Sequence, residues 1–180
     1  AELAVGGWLV NFLEKVYHWS TSEASAMLSL FFVFFMLSRL LVGPFTDKLG
    51  YTLSVILLSG FFGVCSLAAI AVGEKAAVLL AVAGIGIAPI YPTVMALIAK
   101  RYPNGTEAAI TFIVTVMGIG SVIGNFLIGA IIDIFQTMLT ASLGSEAGVR
   151  VGMQAGYVFI AVLSLCCAAF GILLHKRLRN

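Results

Sequence analysis

The sequence predicts an all-α membrane protein, a bundle of about six transmembrane helices. Three observations carry that expectation. Hydrophobic residues make up 61% of the 180 residues and charged residues only 10%, whereas soluble domains are about half apolar and about a quarter charged. The apolar residues fall in runs close to the roughly 20 residues that a helix needs to cross the hydrocarbon core. The runs do not alternate in hydrophobicity as the shorter strands of a membrane barrel would. The formal net charge of +2 is too small to suggest a nucleic-acid partner.

The first run, 1–16, is shorter and more polar than the others. It opens at Ala-Glu-Leu with no basic flank and no signal-peptide pattern. Further chain is therefore expected upstream, with these residues as one half of a larger protein. Glu2 stands fifteen residues before Tyr17, the expected outer end. That is about 22 Å of helix, which places a carboxyl group within the hydrocarbon core. Such a group is a candidate for ion coupling or substrate binding, the alternative being a paired structural carboxylate. Trp8 and Asn11 lie on a different helical face from Glu2. The three reach one cavity if the helix breaks at Gly6-Gly7.

Runs two and three, 24–43 and 51–72, flank the polar loop Gly43-Pro44-Phe45-Thr46-Asp47-Lys48-Leu49-Gly50. Arg39, Gly43 and Asp47 recur every four residues and would share one helical face. Gly43 permits close approach by another helix. Asp47 suits the positive end of a neighbouring helix or a basic partner. The plainer alternative is a polar turn with snorkelling Arg39 and Lys48.

Run four, 76–99, contains Pro89 and Pro92, which remove helical hydrogen bonds and make the helix bendable. Tyr91 shares a face with Gly84, Ala88 and Met95, and is a candidate to stack on or bond a polar solute. It is equally readable as a core tyrosine in a kinked packing helix. Run five, 108–135, carries the stripe Thr111, Thr115, Gly118, Val122, Asn125, Gly129 and Asp133 on one face. It reads as a pathway lining with Thr115 and Asn125 as site candidates, or as a packing seam. Run six, 152–174, is uniformly apolar. Helices one, two, four and five are expected to line the central face, with three and six outside.

The loops are short, the longest being 136–151. Alternation places Arg39, Lys48, Lys100, Arg101, Lys176, Arg177 and Arg179 on one side and Lys15, Lys75 and Arg150 on the other. The positive-inside rule makes the first side, and both chain ends, cytoplasmic, as in a plasma or inner membrane. Asn104-Gly105-Thr106 has the form of a glycosylation acceptor. It falls on the cytoplasmic side and reads as a turn. Cys65, Cys166 and Cys167 lie in apolar spans and read as packed core thiols. No metal site, cofactor loop or catalytic constellation is legible, so a non-enzyme is expected.

The pattern G-x-x-x-D-[RK]-x-G, with Arg39 as the R-x-x-x-G lead-in, resembles the signature loop of the major facilitator superfamily. In that family it joins the second and third helices of each six-helix half, which is its place here. Tyr51 and Thr52 stand where the family usually has two basic residues, and a weakened copy of this kind implies the C-terminal half. The resemblance implies half of a twelve-helix fold, built from two inverted three-helix repeats. It also implies a gate formed by Arg39, Gly43, Asp47, Lys48 and Gly50, an N-terminal half as partner, lipid around it and a small-molecule substrate. Gly84-Ile85-Gly86-Ile87-Ala88-Pro89-Ile90-Tyr91-Pro92-Thr93, with Gly6-Gly7-Trp8-Leu9, is similar to the fucose–proton symporter branch. That likeness implies sugar transport by proton or sodium coupling, with a drug–proton antiporter and a non-transporting receptor or scaffold as alternatives.

Overall fold

The computed structural model describes residues 2–179, and helices account for nearly all of them. The order is α1 (Glu2–Tyr17), α2 (Thr21–Leu49), α3 (Tyr51–Val72), a 3₁₀ turn (Glu74–Ala76), α4 (Val78–Val82), α5 (Gly84–Ile87), α6 (Ile90–Arg101), α7 (Thr106–Leu143) and α8 (Ser145–Arg179). Among the described residues five stretches are long and apolar enough to cross a membrane: Thr21–Leu49, Tyr51–Val72, Glu74–Arg101, Thr106–Ser142 and Ser145–Arg177. At 16 residues α1 falls short of that length. Its Leu9, Phe12 and Leu13 are fully buried in the core that it forms with α2 and α8. Helices α3 and α8 pack along each other, and α8 packs equally along α7.

Successive spans run up and down. At one end, the Trp19 indole Nε1 donates to Glu74 Oε1 at 2.7 Å, and His18 Nε2 lies 3.3 Å from Glu146 Oε1. These contacts gather the first, third and fifth connections. At the other end, Lys100 Nζ lies 5.6 Å from the Tyr51 ring centroid, which joins the second and fourth.

The helices outrun the apolar runs that signal them. Helix α2 continues through Pro44 to Leu49, so the expected loop 44–50 shrinks to Gly50, whose φ of 86° turns the chain into α3. The expected loop 136–151 is helical except at Gly144, where φ is 90°. Apolar residues mark where hydrocarbon ends, whereas the helix stops only where a residue leaves right-handed φ/ψ space. At its other end α2 opens on a capping box. The Ser20 side chain accepts from the Glu23 amide, and the Glu23 carboxylate accepts from the Ser20 amide at 3.0 Å.

Counting α1 as the first, span four (Glu74–Arg101) is broken, as its glycines and prolines lead one to expect, and span five is α7. Backbone approaches as close as this require glycine. A Cβ on Gly86 would stand 2.5 Å from the Leu58 carbonyl oxygen, and one on Gly84 would stand 2.9 Å from that of Phe31. The segment is wedged between α2 and α3.

Candidate functional site

A cavity of about 320 Å³ opens between α1, α3, the broken span four, α7 and α8. Its walls are mainly aliphatic, from Ile87, Ile90, Ile128, Ile160 and Leu163. Polar groups are few: Ser59 of α3, Tyr91 of α6, Ser121 and Asn125 of α7, and Ser164 of α8. Such a surface, apolar with sparse polar points, is the usual composition of a small-molecule site, and the volume lies at the lower end of the usual range.

Three of these side chains, those of Asn125, Ser164 and Ser59, are held by backbone carbonyls. Asn125 Nδ2 donates to the Ser121 carbonyl at 3.0 Å, one turn back on α7. Its amide oxygen accepts no hydrogen bond among the described residues. Ser164 Oγ donates across to the Ser59 backbone carbonyl at 2.9 Å, which ties α8 to α3 beneath the cavity. Ser59 Oγ turns back to the Val55 carbonyl at 2.6 Å. Tyr91 is exposed, and its hydroxyl has no partner among the described residues. Tyr91, Asn125 and Ser121, whose hydroxyl likewise has no partner among the described residues, are therefore the polar groups here with unused hydrogen-bonding capacity.

Of the six expected site residues, the structure brings Tyr91 and Asn125 together at this cavity. Thr115 is exposed and bonds its own helix, Oγ1 to the Thr111 carbonyl at 2.8 Å. Trp8 is half-buried against the core, near Gly129. Asn11 is exposed. Neither Trp8 nor Asn11 lines the cavity. The Glu2 side chain lies outside the described residues.

The face of α7 that meets the cavity is also not the expected stripe. It is Met117, Gly120, Ser121, Gly124, Asn125 and Ile128, whose centre is displaced by one residue from Gly118, Val122, Asn125 and Gly129. Val122 is 72% exposed on another face. The displacement follows the smallest side chains, because Gly120 and Gly124, four apart, open the groove. Two further expectations change. Helix α2 contributes no wall residue, while α3 and α8, expected outside, supply Ser59, Ile160, Leu163, Ser164 and Cys167. Cys166 and Cys167 are exposed rather than core thiols, and Cys65 is half-buried. The serines Ser59, Ser121 and Ser164 went unseen as wall residues because lone serines in apolar helices usually bond their own backbone. The one legible signal was the spacing of Ser121 and Asn125 on α7.

The loop motif forms the C-terminal turns of α2. Asp47 is exposed and accepts from the Tyr51 hydroxyl at 3.1 Å. Lys48 and Gly50 are exposed, and Gly43 has nothing within 4 Å of an added Cβ. Thr46 Oγ1 donates to the Gly43 carbonyl at 2.7 Å. Arg39 is set apart from these. It stands about 15 Å of helix before Leu49, inside the span rather than at its end. Its Nε donates to the Ala88 carbonyl at 3.1 Å, and its guanidinium lies 4.5 Å from the Phe35 ring centroid. Among the described residues no group of three His, Cys, Asp or Glu side chains gathers to hold a metal ion.

Neither the curated proteins nor the solved structures contain a match to this chain. A family model does match, described as Major Facilitator Superfamily and covering residues 3–179, almost the whole length. The helical architecture agrees with that match, and the chain belongs to the major facilitator superfamily, as an integral membrane transporter rather than an enzyme.

Proposed function

We propose that this chain is the C-terminal half of a secondary transporter that moves a small polar solute, a sugar or polyol, by alternating access. A proton or sodium gradient drives it, and the chain ends are cytoplasmic in a plasma or inner membrane. The cavity is this half's wall of the solute site. An N-terminal six-helix half supplies the opposite wall, so that the site lies near the midplane between the two halves. One observation carries the reading. Tyr91 and Asn125, from separate spans, meet at one apolar-walled cavity with hydrogen-bonding capacity to spare. An aromatic hydroxyl beside an amide suits a ligand rich in hydroxyl groups, since each partner both donates and accepts.

Among the described residues no carboxylate lines the cavity. Glu2 is the proposed coupling group on sequence grounds, two residues before Ala4 of the cavity wall. Asp47, Lys48, Gly43 and Gly50 form the proposed cytoplasmic gate. There the Asp47 charge meets the partner half when the transporter opens outward.

A second reading, a drug–proton antiporter, draws support from the aliphatic and Met117 side chains of the same wall. The test is uptake by the complete transporter in proteoliposomes under an imposed proton or sodium gradient. A panel of labelled hexoses and polyols is run beside dye efflux. Gradient-driven hexose uptake, reduced by Asn125→Ala, is the expected result. Dye efflux without hexose uptake would favour the antiporter. No flux of any solute would leave a receptor or scaffold.

A further inference from the structure

Proline removes the amide that would bond the carbonyl four residues earlier in a helix. In span four Pro89 deprives the Ile85 carbonyl, and Pro92 deprives the Ala88 carbonyl. Within a bilayer a bare carbonyl has no water to turn to, so another donor must be found. Here the donors are consecutive residues of α2. Ser38 Oγ donates to the Ile85 carbonyl at 2.8 Å, and Arg39 Nε donates to the Ala88 carbonyl at 3.1 Å. Each proline-freed carbonyl thus has its own side-chain donor.

The match is geometric as well as chemical. Carbonyls three residues apart lie close together on one helical face, within reach of two adjacent side chains. Gly84 admits the α2 backbone at Phe31 just beyond. Ser38 is buried, 3% exposed, so water does not compete for its bond. The Phe35 ring lies against the Arg39 guanidinium. One turn after the break, Thr93 Oγ1 bonds the Pro89 carbonyl at 2.7 Å and closes the next turn. The broken segment is thereby fixed on one side by α2 and on the other by α3, where Gly86 meets Leu58 and Phe62. Ile87, Ile90 and Tyr91, around these bonds, are cavity wall.

We propose that Ser38 and Arg39 are positioning residues: their two bonds to the proline-freed carbonyls of span four hold its bend, and so set where Tyr91 stands in the cavity. Arg39 lies one turn before Gly43, so the same helix carries the gate motif and the clamp on the cavity wall. The transport part of this inference rests on the cavity being the solute site. The clamp itself does not.

The test is a set of double-mutant cycles in the complete transporter, with two readouts. One is hexose uptake. The other is the rate at which a maleimide modifies Cys167, a cavity-wall residue, in a background with Cys65 and Cys166 replaced by Ser. Pro92→Ala returns an amide to the Ala88 carbonyl, and Pro89→Ala returns one to that of Ile85. Arg39→Met, which removes every donor, should alone change both readouts by about tenfold, the scale of one charge-assisted hydrogen bond. After Pro92→Ala it should change them by less than about twofold. Ser38→Ala, the milder variant, should be rescued in the same way by Pro89→Ala. The crossed pairs, Arg39 with Pro89 and Ser38 with Pro92, should stay multiplicative. Arg39→Lys keeps a donor and should retain part of the effect. Equal coupling in matched and crossed pairs would overturn the proposal, as would Arg39→Met and Ser38→Ala variants with unchanged Cys167 labelling. Absent uptake of every solute by the unmutated protein would sink the transport reading, while the labelling cycles would still decide the clamp.

Discussion

Spans four and five have nearly the same mean hydropathy, 1.9 and 2.0, yet they pack in opposite ways. Half of span four's most apolar stretch is buried, against 6% of span five's. Span four is cut into short helices at Ala83 and at Ala88-Pro89, and its Gly84 and Gly86 touch neighbouring backbones. Span five, α7, is one continuous helix of 38 residues. A Cβ added to its Gly118, Gly120 or Gly124 would meet nothing within 4 Å. Hydropathy therefore reports that a segment belongs in a membrane and nothing about what it faces. The same residue type serves close backbone packing in one span and groove-making in the other. The cavity lies where the two spans meet.

The sharpest way to break this contrast is to add one methyl group to each. Gly86→Ala drives a Cβ against backbone atoms of α3, which a rotamer change cannot relieve. Overpacking of this kind costs up to about 3 kcal/mol, and thermal stability and folded yield in detergent should fall together. A variant as stable as the parent would mean that span four is loosely held.

Asn125→Ala tests the meeting point. It removes a polar group from the cavity while leaving α7 helical. Hexose uptake should fall about tenfold, the scale of one or two hydrogen bonds to solute. Val122→Ala, on the neighbouring exposed face, should leave uptake within about twofold. Equal effects of the two would detach the cavity from transport.

Asp47→Asn keeps side-chain shape and removes charge. In the proposed gate that charge acts at a helix terminus of a partner half, where it would contribute about 1–2 kcal/mol at most. The ratio of outward- to inward-open states should shift by about 5- to 30-fold, read as cytoplasmic-side cysteine accessibility with turnover measured in parallel. Tyr51→Phe removes only the 3.1 Å bond to Asp47 and should shift the ratio less. Unchanged accessibility and turnover in Asp47→Asn would leave this segment a plain helix end. The smallest effect is that of Gly124→Ala. With open space around it and the helical advantage of Ala over Gly, about 1 kcal/mol, it should be neutral to slightly stabilising in this half.

Much of the fold could be read from the residues. Five of the six expected spans, their up-and-down order and the weak point in span four follow from apolar runs, short connections and the placing of glycine and proline, while run 1–16 forms a helix too short to be counted with them. What the runs did not show was where the helices end, since 136–143 and 145–151 are polar enough to leave hydrocarbon yet remain helical. At the site, Tyr91 and Asn125 were legible because polar side chains are rare in such helices. The facing of α7 was not, because a stripe assigned by spacing alone can be rotated by one residue without violating any local rule. Arg39 illustrates the other limit. Its place in the loop motif suggested a surface role, while its partner, the Ala88 carbonyl, is free only because of a proline 53 residues away in sequence.

The account stands or falls on whether solute occupies the cavity shared by spans four and five. The direct measurement is maleimide modification of Cys167 in the complete transporter, with and without a hexose as the proposed solute. Cys65, which is not a wall residue, serves as the internal control. Occupancy of the cavity predicts that the hexose slows Cys167 modification several-fold and leaves Cys65 unchanged, with protection lost in Asn125→Ala. Hexose uptake that proceeds normally while both cysteines react at the same rate with and without it would contradict the account.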